Sequence, residues 1–328
     1  MTYISQEKFW ACLIHIGYNM WEDHDRFKHG DNLLKRTRYF CHQLRFDQDV
    51  WNNCVKRMVD SGLNMIVLDL GDAVQYSSVP EIAVEGAWSI AKLKGEISKL
   101  RDVGIEPIPK LNFSTGHDAW LRAYSRMVST EQYYNVCRAL IAEVTDVFKK
   151  PRFFHLGFDE ENARHQISYD YASARAGDLW WHDLNFFIKE VEKGGSRPWI
   201  WADHSWDSPD DFYARMPKNV LQSNWYYRQK FDDVSNKQVK AYLELEKHGY
   251  DQVPTSGYFE LNKGEFLHRQ SANLTAEFTK KHVSDNHLLG FLQTCWRPTI
   301  KEYERDILLA IDYLGESKTV FYGESVGR

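Results

Sequence analysis

The 328-residue sequence lacks several features that mark whole classes of protein. No apolar segment is long enough to span a bilayer, so a membrane-spanning helix is not expected. No block of Lys and Arg is present and the net charge is -5, so neither nucleic acid nor an anionic membrane surface is an expected partner. No glycine-rich phosphate loop follows a predicted strand, and no organic cofactor is implied. A neutral or small substrate fits this composition better.

Cysteine is also scarce, and its distribution predicts free thiols. The cysteines are scattered, odd in number and without a CxxC pair: Cys12, Cys41, Cys54, Cys137 and Cys295. Such spacing is typical of a reducing compartment. The first eight residues lack the basic start and apolar core of a secretory signal, so we expect a cytoplasmic protein, with the reservation that a removed signal leaves no trace.

Short β-like segments alternate with amphipathic helical segments along the whole chain. Strands are predicted at 11–18, 64–70, 106–112, 153–159, 198–204, 220–226, 255–259 and 289–296. Helices are predicted at 47–61, 87–103, 130–149, 178–193, 236–248, 272–283 and 301–314. The gap between the fifth and sixth strands holds only a turn of helix, from Pro209 to Met216. This order predicts an α/β protein, a (β/α)8 TIM barrel, as one catalytic domain over residues 1–328.

The predicted strand ends carry polar and aromatic side chains at all eight positions. In this architecture the active site lies at the carboxyl ends of the strands. Several of the 12 tryptophans fall there. Most aromatic residues serve core packing, but an indole face also stacks on the apolar face of a sugar. Eight such ends together favour a catalytic or binding mouth over a purely structural rim.

An apolar run that ends in acid marks the fourth strand, from Phe153 to Glu161. Alternation places His155, Gly157 and Asp159 on one face, with Glu160 as the first loop residue. Taken alone, the run is equally consistent with an acidic first turn of the following helix.

The segment from His155 to Glu160, HLGFDE, resembles the His-x-Gly-x-Asp-Glu signature of the family 20 glycoside hydrolases, the β-N-acetylhexosaminidases. The resemblance continues in order over roughly residues 60–300. Its other matching segments are 104–112 through Gly116-His117, Trp199 to Asp203, Asn224-Trp225, Tyr258 to Glu260, and Thr294 to Trp296.

The resemblance implies retaining hydrolysis of an N-acetylhexosaminide, in which the substrate's own 2-acetamido oxygen is the nucleophile. It implies that Asp159 orients the acetamido group, Glu160 is the general acid and base, and Tyr258 donates to the acetamido oxygen. A neighbouring carboxylate and aromatic walls are expected to raise the pKa of Glu160. The remaining residues assigned to substrate binding are Asn112, His117, His155, Trp201, Asp203, Trp225, Glu260 and Trp296.

The sequence departs from the family at the positions that read the sugar's outer hydroxyls. Lys110 and Asn112 stand where the family has Glu and Asp, and Thr299 replaces a Glu. No Arg follows the first strand between His15 and Asn19. Phe158 replaces a small residue, which we interpret as packing towards the helices. The sugar's identity and exo or endo action therefore remain open.

Two other functions compete with this interpretation. One is a metal-dependent hydrolase, whose ligands would come from His15, His117, His155, Asp159, Asp203 and His204, although no His-x-His or HExxH spacing is present. The other is a non-catalytic carbohydrate-binding barrel, against which the joint presence of Asp159, Glu160 and Tyr258 argues. We expect His155 to be a buried support for the acid pair. Residues 23–25 and 35–38 are expected to form solvated loops, with substrate binding as the lesser alternative. The sequence predicts no oligomeric state.

Overall fold

A computed structural model describes residues 7–30, 32–258 and 270–323. Its strands are β1 (Phe9–His15), β2 (Met65–Asp69), β3 (Glu106–Lys110), β4 (Phe153–His155), β5 (Arg197–Trp201), β6 (Leu221–Ser223), β7 (Thr255–Gly257) and β8 (Gly290–Thr294). They form one parallel sheet in the order β6-β5-β4-β3-β2-β1-β8-β7. The two ends of this order are joined by the parallel bridges Gln222 to Gln252 and Trp225 to Thr255. The predicted (β/α)8 barrel is confirmed.

Helices lie between the strands and on the outside of the sheet. They are α1 (Leu33–Arg38), α2 (Gln48–Asp60), α3 (Ile90–Asp102), α4 (Glu131–Val147), α5 (Gly177–Lys193), α6 (His204–Asp207), α7 (Pro209–Arg215), α8 (Lys237–Lys247), α9 (Ser271–His282) and α10 (Glu304–Tyr322). Four of the longer helices begin where a side chain accepts backbone N–H groups, at Asp47, Ser89, Thr130 and Asn236. These caps satisfy donors that a helix start leaves unpaired, so the predicted starts of α2, α3, α4 and α8 are close to the observed ones.

The strands divide the apolar residues between two cores. Along β1, Phe9, Ala11 and Leu13 face the barrel interior, while Trp10, Cys12 and Ile14 face the surrounding helices. Both faces of the strands are therefore buried, which explains why they are apolar throughout.

A layer of polar residues crosses the barrel at the carboxyl ends of the first four strands. His15 pairs in register with Asp69, Asp69 with Lys110, and Lys110 with His155. All four side chains are buried. This layer forms the floor on which the loops of the mouth are built.

Three local predictions need correction. The fourth strand ends at His155 rather than at residue 159, because positive φ angles at Gly157 and Phe158 break the extended backbone. Residues 35–38 belong to the short helix α1 rather than to a loop. The gap before β6 holds two short helices, α6 and α7, of which only the second was predicted.

The structure bears on the predicted free thiols and on membrane-spanning helices. All five cysteines are free, four of them buried. Within the described ranges, every helix is too short or too polar to cross a bilayer. The single-domain organisation over 1–328 stays a prediction.

Candidate active site

A cavity of about 720 Å³ opens at the carboxyl ends of the strands. The residues that line it, drawn from the segments after β1, β3, β4, β5, β6 and β8, are Trp21, Glu22, Arg38, Gly116, His117, Asp159, Glu160, Arg164, His165, Ser168, Trp201, Trp225, Tyr227, Arg228, Gln238 and Trp296. It brings together six of the predicted site residues: His117, Asp159, Glu160, Trp201, Trp225 and Trp296.

An unusual backbone turn presents the two acids after β4. Gly157, Phe158 and Glu160 have φ angles of 77°, 69° and 53°. A Cβ at residue 157 would lie 1.8 Å from Asn112 Oδ1, so only glycine fits there. Phe158 packs outward against Trp180 and Phe187, as predicted from the sequence. The turn sends Phe158 into the helix layer and leaves Asp159 and Glu160 at the cavity.

Asp159 is held by neighbours that fix its carboxylate. Asn112 Nδ2 donates to Asp159 Oδ1 at 3.0 Å, and His117 Nε2 lies 3.4 Å from Asp159 Oδ2. Asn112 is held in turn, because its Oδ1 accepts the backbone N–H of Ser114 and its carbonyl accepts the indole N–H of Trp120. Ser114 Oγ also donates to the Asp159 carbonyl. The predicted substrate-binding residue Asn112 therefore lies behind Asp159 and outside the cavity lining.

Glu160 lies between two histidines. His117 Nε2 is 3.1 Å from Glu160 Oε2, and His165 Nε2 is 3.2 Å from Glu160 Oε1. Burial raises the pKa of Glu160, but the hydrogen bonds and charges of His117 and His165 outweigh it and lower that pKa below its usual range. The expectation of a raised pKa is therefore wrong, because the sequence did not reveal that His117 and His165 flank this carboxylate.

His117 takes up the proton that Glu160 lacks. Burial alone lowers the pKa of His117, but the charges of Asp159 and Glu160 and the hydrogen bond to Glu160 raise it to about 9. The two groups titrate as a pair, in which one proton resides mainly on the imidazole.

Asp203 supports the turn from below. Its Oδ2 accepts the backbone N–H of Glu160 at 2.9 Å, and its Oδ1 is buried without a hydrogen-bond partner in the described residues. Burial, together with the charge of Asp159, raises the pKa of Asp203 well above its usual range. The adjoining Glu161 is buried and paired with Arg175, which also contacts Asp183 at 3.2 Å. Asp203 therefore acts on the backbone of the acid turn, and the cavity lining does not include it.

Three tryptophans form the apolar wall. Trp201 and Trp296 have ring centroids 5.9 Å apart, and Trp225 stacks on Tyr227 at 5.1 Å. The Trp201 indole N–H is buried with no acceptor among the described residues. A ligand acceptor at the cavity would satisfy this N–H.

Tyr258 does not reach the cavity. Its ring packs 5.3 Å from that of Tyr313 on α10, in the layer outside the barrel. The structure thus places Tyr258 away from the cavity lining, and its catalytic role stays a prediction.

The tyrosine at the cavity is Tyr227, which the sequence analysis missed. Thr294 Oγ1 and Trp296 Nε1 donate to its hydroxyl at 3.4 and 3.3 Å. Burial raises the pKa of Tyr227, and the charges of Asp159 and Glu160 raise it further, so the hydroxyl stays protonated. The available signal was the pair of tyrosines, Tyr226 and Tyr227, that follows Trp225 in the sequence.

His155 lies away from the cavity lining. His155 is fully buried, accepts the N–H of Gly157 on Nδ1 and packs 4.5 Å from Trp201, in agreement with a supporting position. Burial and Lys110 lower the pKa of His155 well below its usual range, so the ring is neutral. Glu260 lies outside the described residues.

The residues considered for a metal divide into two sets. His117, Asp159 and Glu160 have ligand atoms within 4.8 Å of one another and could hold an ion. The other histidines face elsewhere: His15 Nδ1 contacts Asp69 at 3.2 Å, and His204 stacks on Trp180 at 3.9 Å. The geometry at His117 is also that of an ion pair, with N to O distances of 3.1 and 3.4 Å.

The fold and the site define a barrel with an acidic, tryptophan-walled mouth. No protein-family profile matches the chain, and no curated protein sequence matches it.

Solved structures do match. The chain is similar to dispersin B, with a TM-score of 0.59 and 14% identity over 83% of this chain and 95% of the other. It is similar to the Streptomyces plicatus N-acetyl-β-hexosaminidase in complex with Thio-NAglucal, with a TM-score of 0.63 and 12% identity over 94% of this chain and 64% of the other. The Vibrio harveyi family 20 exo-β-N-acetylglucosaminidase in complex with N-acetylglucosamine matches with a TM-score of 0.60 and 13% identity, over 96% of this chain and 58% of the other.

The likeness confirms the resemblance at the level of the fold. This chain spans less than two thirds of the Streptomyces and Vibrio chains. A family 5 glycoside hydrolase from Prevotella bryantii also matches, with a TM-score of 0.54 and 11% identity. Because different glycosidase families share this barrel, the choice among activities depends on the site.

Proposed function

We propose that this protein is a retaining β-N-acetylhexosaminidase that uses substrate-assisted catalysis. The observation that carries the proposal is the pair of adjacent carboxylates, Asp159 and Glu160, which share one tryptophan-walled cavity but have different partners. Two matching structures support the substrate class, since one is a complex with Thio-NAglucal and the other a complex with N-acetylglucosamine.

The chemistry needs one proton donor and one fixed acceptor from the protein. The substrate's acetamido oxygen attacks the anomeric carbon, the glycosidic bond breaks, and Glu160 gives its proton to the leaving oxygen. Asp159 accepts the acetamido N–H and stabilises the positive oxazolinium ion. Water then attacks the anomeric carbon, Glu160 takes the water's proton, and the acetamide re-forms.

The surroundings of Asp159 suit a fixed acceptor. Asn112 donates to one carboxylate oxygen and His117 lies beside the other, so the group stays oriented before substrate arrives. Such preorganisation favours the transition state, because the site need not rearrange during reaction.

Tyr227 takes the role that the resemblance implied for Tyr258. Its hydroxyl is positioned by Thr294 and Trp296 and keeps its proton. It donates to the acetamido oxygen and orients it for attack.

Glu160 gains its proton from within the pair with His117. The pair holds a single proton over a wide pH range, and substrate entry favours its transfer to Glu160 for two reasons. The sugar excludes water, and it displaces the half-exposed His165 from the carboxylate. Both changes raise the pKa of a carboxyl group.

A substrate panel tests the proposal. We expect hydrolysis of 4-nitrophenyl β-N-acetylglucosaminide or β-N-acetylgalactosaminide, and at least about a hundredfold lower rate on the β-glucoside, which lacks the acetamido nucleophile. NMR should detect the β-anomer as the first product, and a chelator should leave the rate unchanged.

Comparable rates on the β-glucoside, or the α-anomer as first product, would exclude substrate-assisted retention. Loss of activity with chelator, restored by a divalent ion, would favour the metal-dependent alternative at His117, Asp159 and Glu160. Sugar binding without any hydrolysis would favour the non-catalytic barrel.

A further inference from the structure

Three arginines line the cavity without an ion pair or hydrogen bond to any residue of the described ranges. Arg38 ends α1, Arg164 follows the acid turn after β4, and Arg228 follows β6. Arg38 is half-buried and the other two are exposed, whereas the buried Arg175 is paired with Glu161 and Asp183. The chain carries a net charge of -5, so this cluster is not one part of a generally basic surface.

Arg38 is the most confined of the three. Its guanidinium carbon lies 4.7 Å from the centroid of the Trp21 ring, and its Nε is buried with no acceptor among the described residues. Trp21 packs edge-on to His117 at 5.1 Å, and His117 contacts Glu160. Arg38 is therefore linked to the candidate general acid through two side chains and lines the same cavity.

Two of the cavity's three carboxylates are engaged with groups other than the arginines. Asp159 is held by Asn112 and His117, and Glu160 by His117 and His165. Glu22, the third, lies 3.9 Å from His24, and its Oε2 makes no hydrogen bond within the described residues. None of the three carboxylates is paired with a guanidinium of the cluster, which leaves these groups for an external partner.

We propose that the cavity selects an N-acetylhexosaminide that carries an anionic oxygen group, and that Arg38 is its principal binding residue. A guanidinium presents parallel N–H donors that match sulfate, phosphate or carboxylate and bind them more strongly than a neutral hydroxyl. The anionic group lies either on the hexosamine, as a sulfate or phosphate ester, or on the adjoining sugar, as a uronic acid. The identity of the sugar rests on the proposed function, whereas the preference for an anion rests on the arginines alone.

The first experiment compares kcat/KM for 4-nitrophenyl β-N-acetylhexosaminides, neutral and esterified with sulfate or phosphate at O3, O4 or O6, and for a disaccharide with a uronic acid as aglycone. We expect at least one anionic substrate to exceed its neutral counterpart by about ten- to a hundredfold. Preference for an ester places the anionic group on the hexosamine, and preference for the uronide places it on the neighbour. A neutral substrate that equals or exceeds every anionic one overturns the proposal.

The second experiment follows the ratio of anionic to neutral kcat/KM in variants. Arg38→Met should lower this ratio about tenfold or more, and Arg38→Lys should lower it less because the charge remains. Arg36→Met is the matched control, since Arg36 lies on the same helix and its guanidinium stacks on Phe27 at 5.7 Å, away from the cavity lining. If Arg38→Met lowers kcat/KM equally for anionic and neutral substrates, Arg38 binds neutral hydroxyls and the proposal is wrong. If that variant does not fold, Arg38→Lys, which keeps the charge but loses the parallel N–H donors, supplies the same ratio, and an unchanged ratio there contradicts the proposal.

A binding measurement separates this proposal from the proposed function. Calorimetric titration of the full chain with N-acetylglucosamine, its 6-sulfate, its 6-phosphate and glucuronic acid should give tighter binding of at least one anionic sugar, weakened by added salt. If no substrate is hydrolysed but this preference appears, the hydrolase proposal fails and the anion site stands. Equal affinity for every sugar overturns the anion site, whatever the enzyme does.

Discussion

Two ionic networks lie one above the other in this barrel, and they use similar groups in opposite ways. In the floor, Asp69 Oδ2 contacts Lys110 Nζ at 2.6 Å and His15 Nδ1 at 3.2 Å, and all three side chains are buried. Burial raises the pKa of Asp69, but Lys110 and His15 outweigh it and lower that pKa to about 2. This network is closed, and its charges are fixed.

In the mouth, Glu160 contacts His117 and His165 at similar distances, but 26% of the Glu160 side chain and 38% of the His165 side chain are exposed. A ligand can replace a partner here. The comparison shows that a carboxylate beside basic side chains becomes a structural element when it is buried, and an exchangeable proton site when one partner faces a cavity.

The largest effect on activity is expected from Glu160→Gln, a change in the mouth network. Hydrolysis of an unactivated N-acetylhexosaminide disaccharide should fall about 10²–10⁴-fold, because the leaving oxygen loses its proton donor. The loss on a 4-nitrophenyl substrate should be smaller, since that leaving group needs little protonation. Glu277→Gln, an exposed change on α9, is the control, and full activity of Glu160→Gln on the disaccharide would remove Glu160 from its role.

A change in the floor network should instead alter the free energy of unfolding. Lys110→Met leaves the Asp69 carboxylate buried beside a neutral side chain and should lower the free energy of unfolding by about 3–5 kcal/mol. The double variant Lys110→Met/Asp69→Leu should recover much of this loss, because both charges are gone. Urea unfolding measures both, and Glu160→Gln should change stability by about 1 kcal/mol or less. If Lys110→Met leaves the free energy of unfolding unaltered, the interpretation of Lys110 and Asp69 as a buried ion pair is wrong.

Two tyrosine variants test which residue belongs to the mouth. Tyr227→Phe should lower kcat/KM about tenfold, the effect of one lost hydrogen bond near the reacting group. Tyr258→Phe should stay within about twofold, since its ring lies against α10. Equal losses in both would reject the assignment of Tyr227.

The smallest effects are expected in the pH dependence of stability, at acidic pH for Asp69 and at alkaline pH for His117. Asp69 has a pKa lowered from 3.8 to about 2, so its stabilising contribution is complete above pH 3.8 and is lost as pH falls through 2. His117 has a pKa raised from 6.5 to about 9, so its contribution is complete below pH 6.5 and is lost as pH rises through 9. The free energy of unfolding, measured across pH in wild type and in His117→Gln, should separate the acidic loss of stability due to Asp69 from the alkaline loss due to His117.

The pair formed by Glu160 and His117 also predicts the pH profile of activity. The active form holds one proton shared by Glu160 and His117, so kcat/KM should fall as pH rises through about 9. In His117→Gln the proton must reside on Glu160 alone, and the alkaline limb should move to lower pH. A limb that stays near 9 in this variant would assign it to another group.

The sequence predicted the barrel well because its signals are local. Alternation, helix caps and strand spacing each act within a few residues, and the acid turn at Asp159 and Glu160 follows from one short motif. The residues that were missed or misplaced depend on long-range geometry. His165 reaches Glu160 only through the fold of a long loop. Tyr227 lines the cavity while Tyr258 packs against Tyr313 of α10, and both placements depend on contacts with residues distant in the sequence. Arg38 was assigned to a solvated loop because a charged run does not disclose which of its members turns inward.

The acid turn and the end of β8 share one consequence for any attempt to improve this protein. Phe158, Glu160 and Trp296 hold left-handed backbone angles of 69°, 53° and 49°, which disfavour side-chain-bearing residues by about 1–3 kcal/mol each. The packing of Phe158 and Trp296 offsets this strain, because removing a buried aromatic side chain costs about 3–5 kcal/mol. At residue 160 the side chain is partly exposed, so a library selected for heat resistance alone should accumulate glycine there and discard the carboxylate that lines the cavity. Selection for durability and selection for turnover would diverge at this one codon.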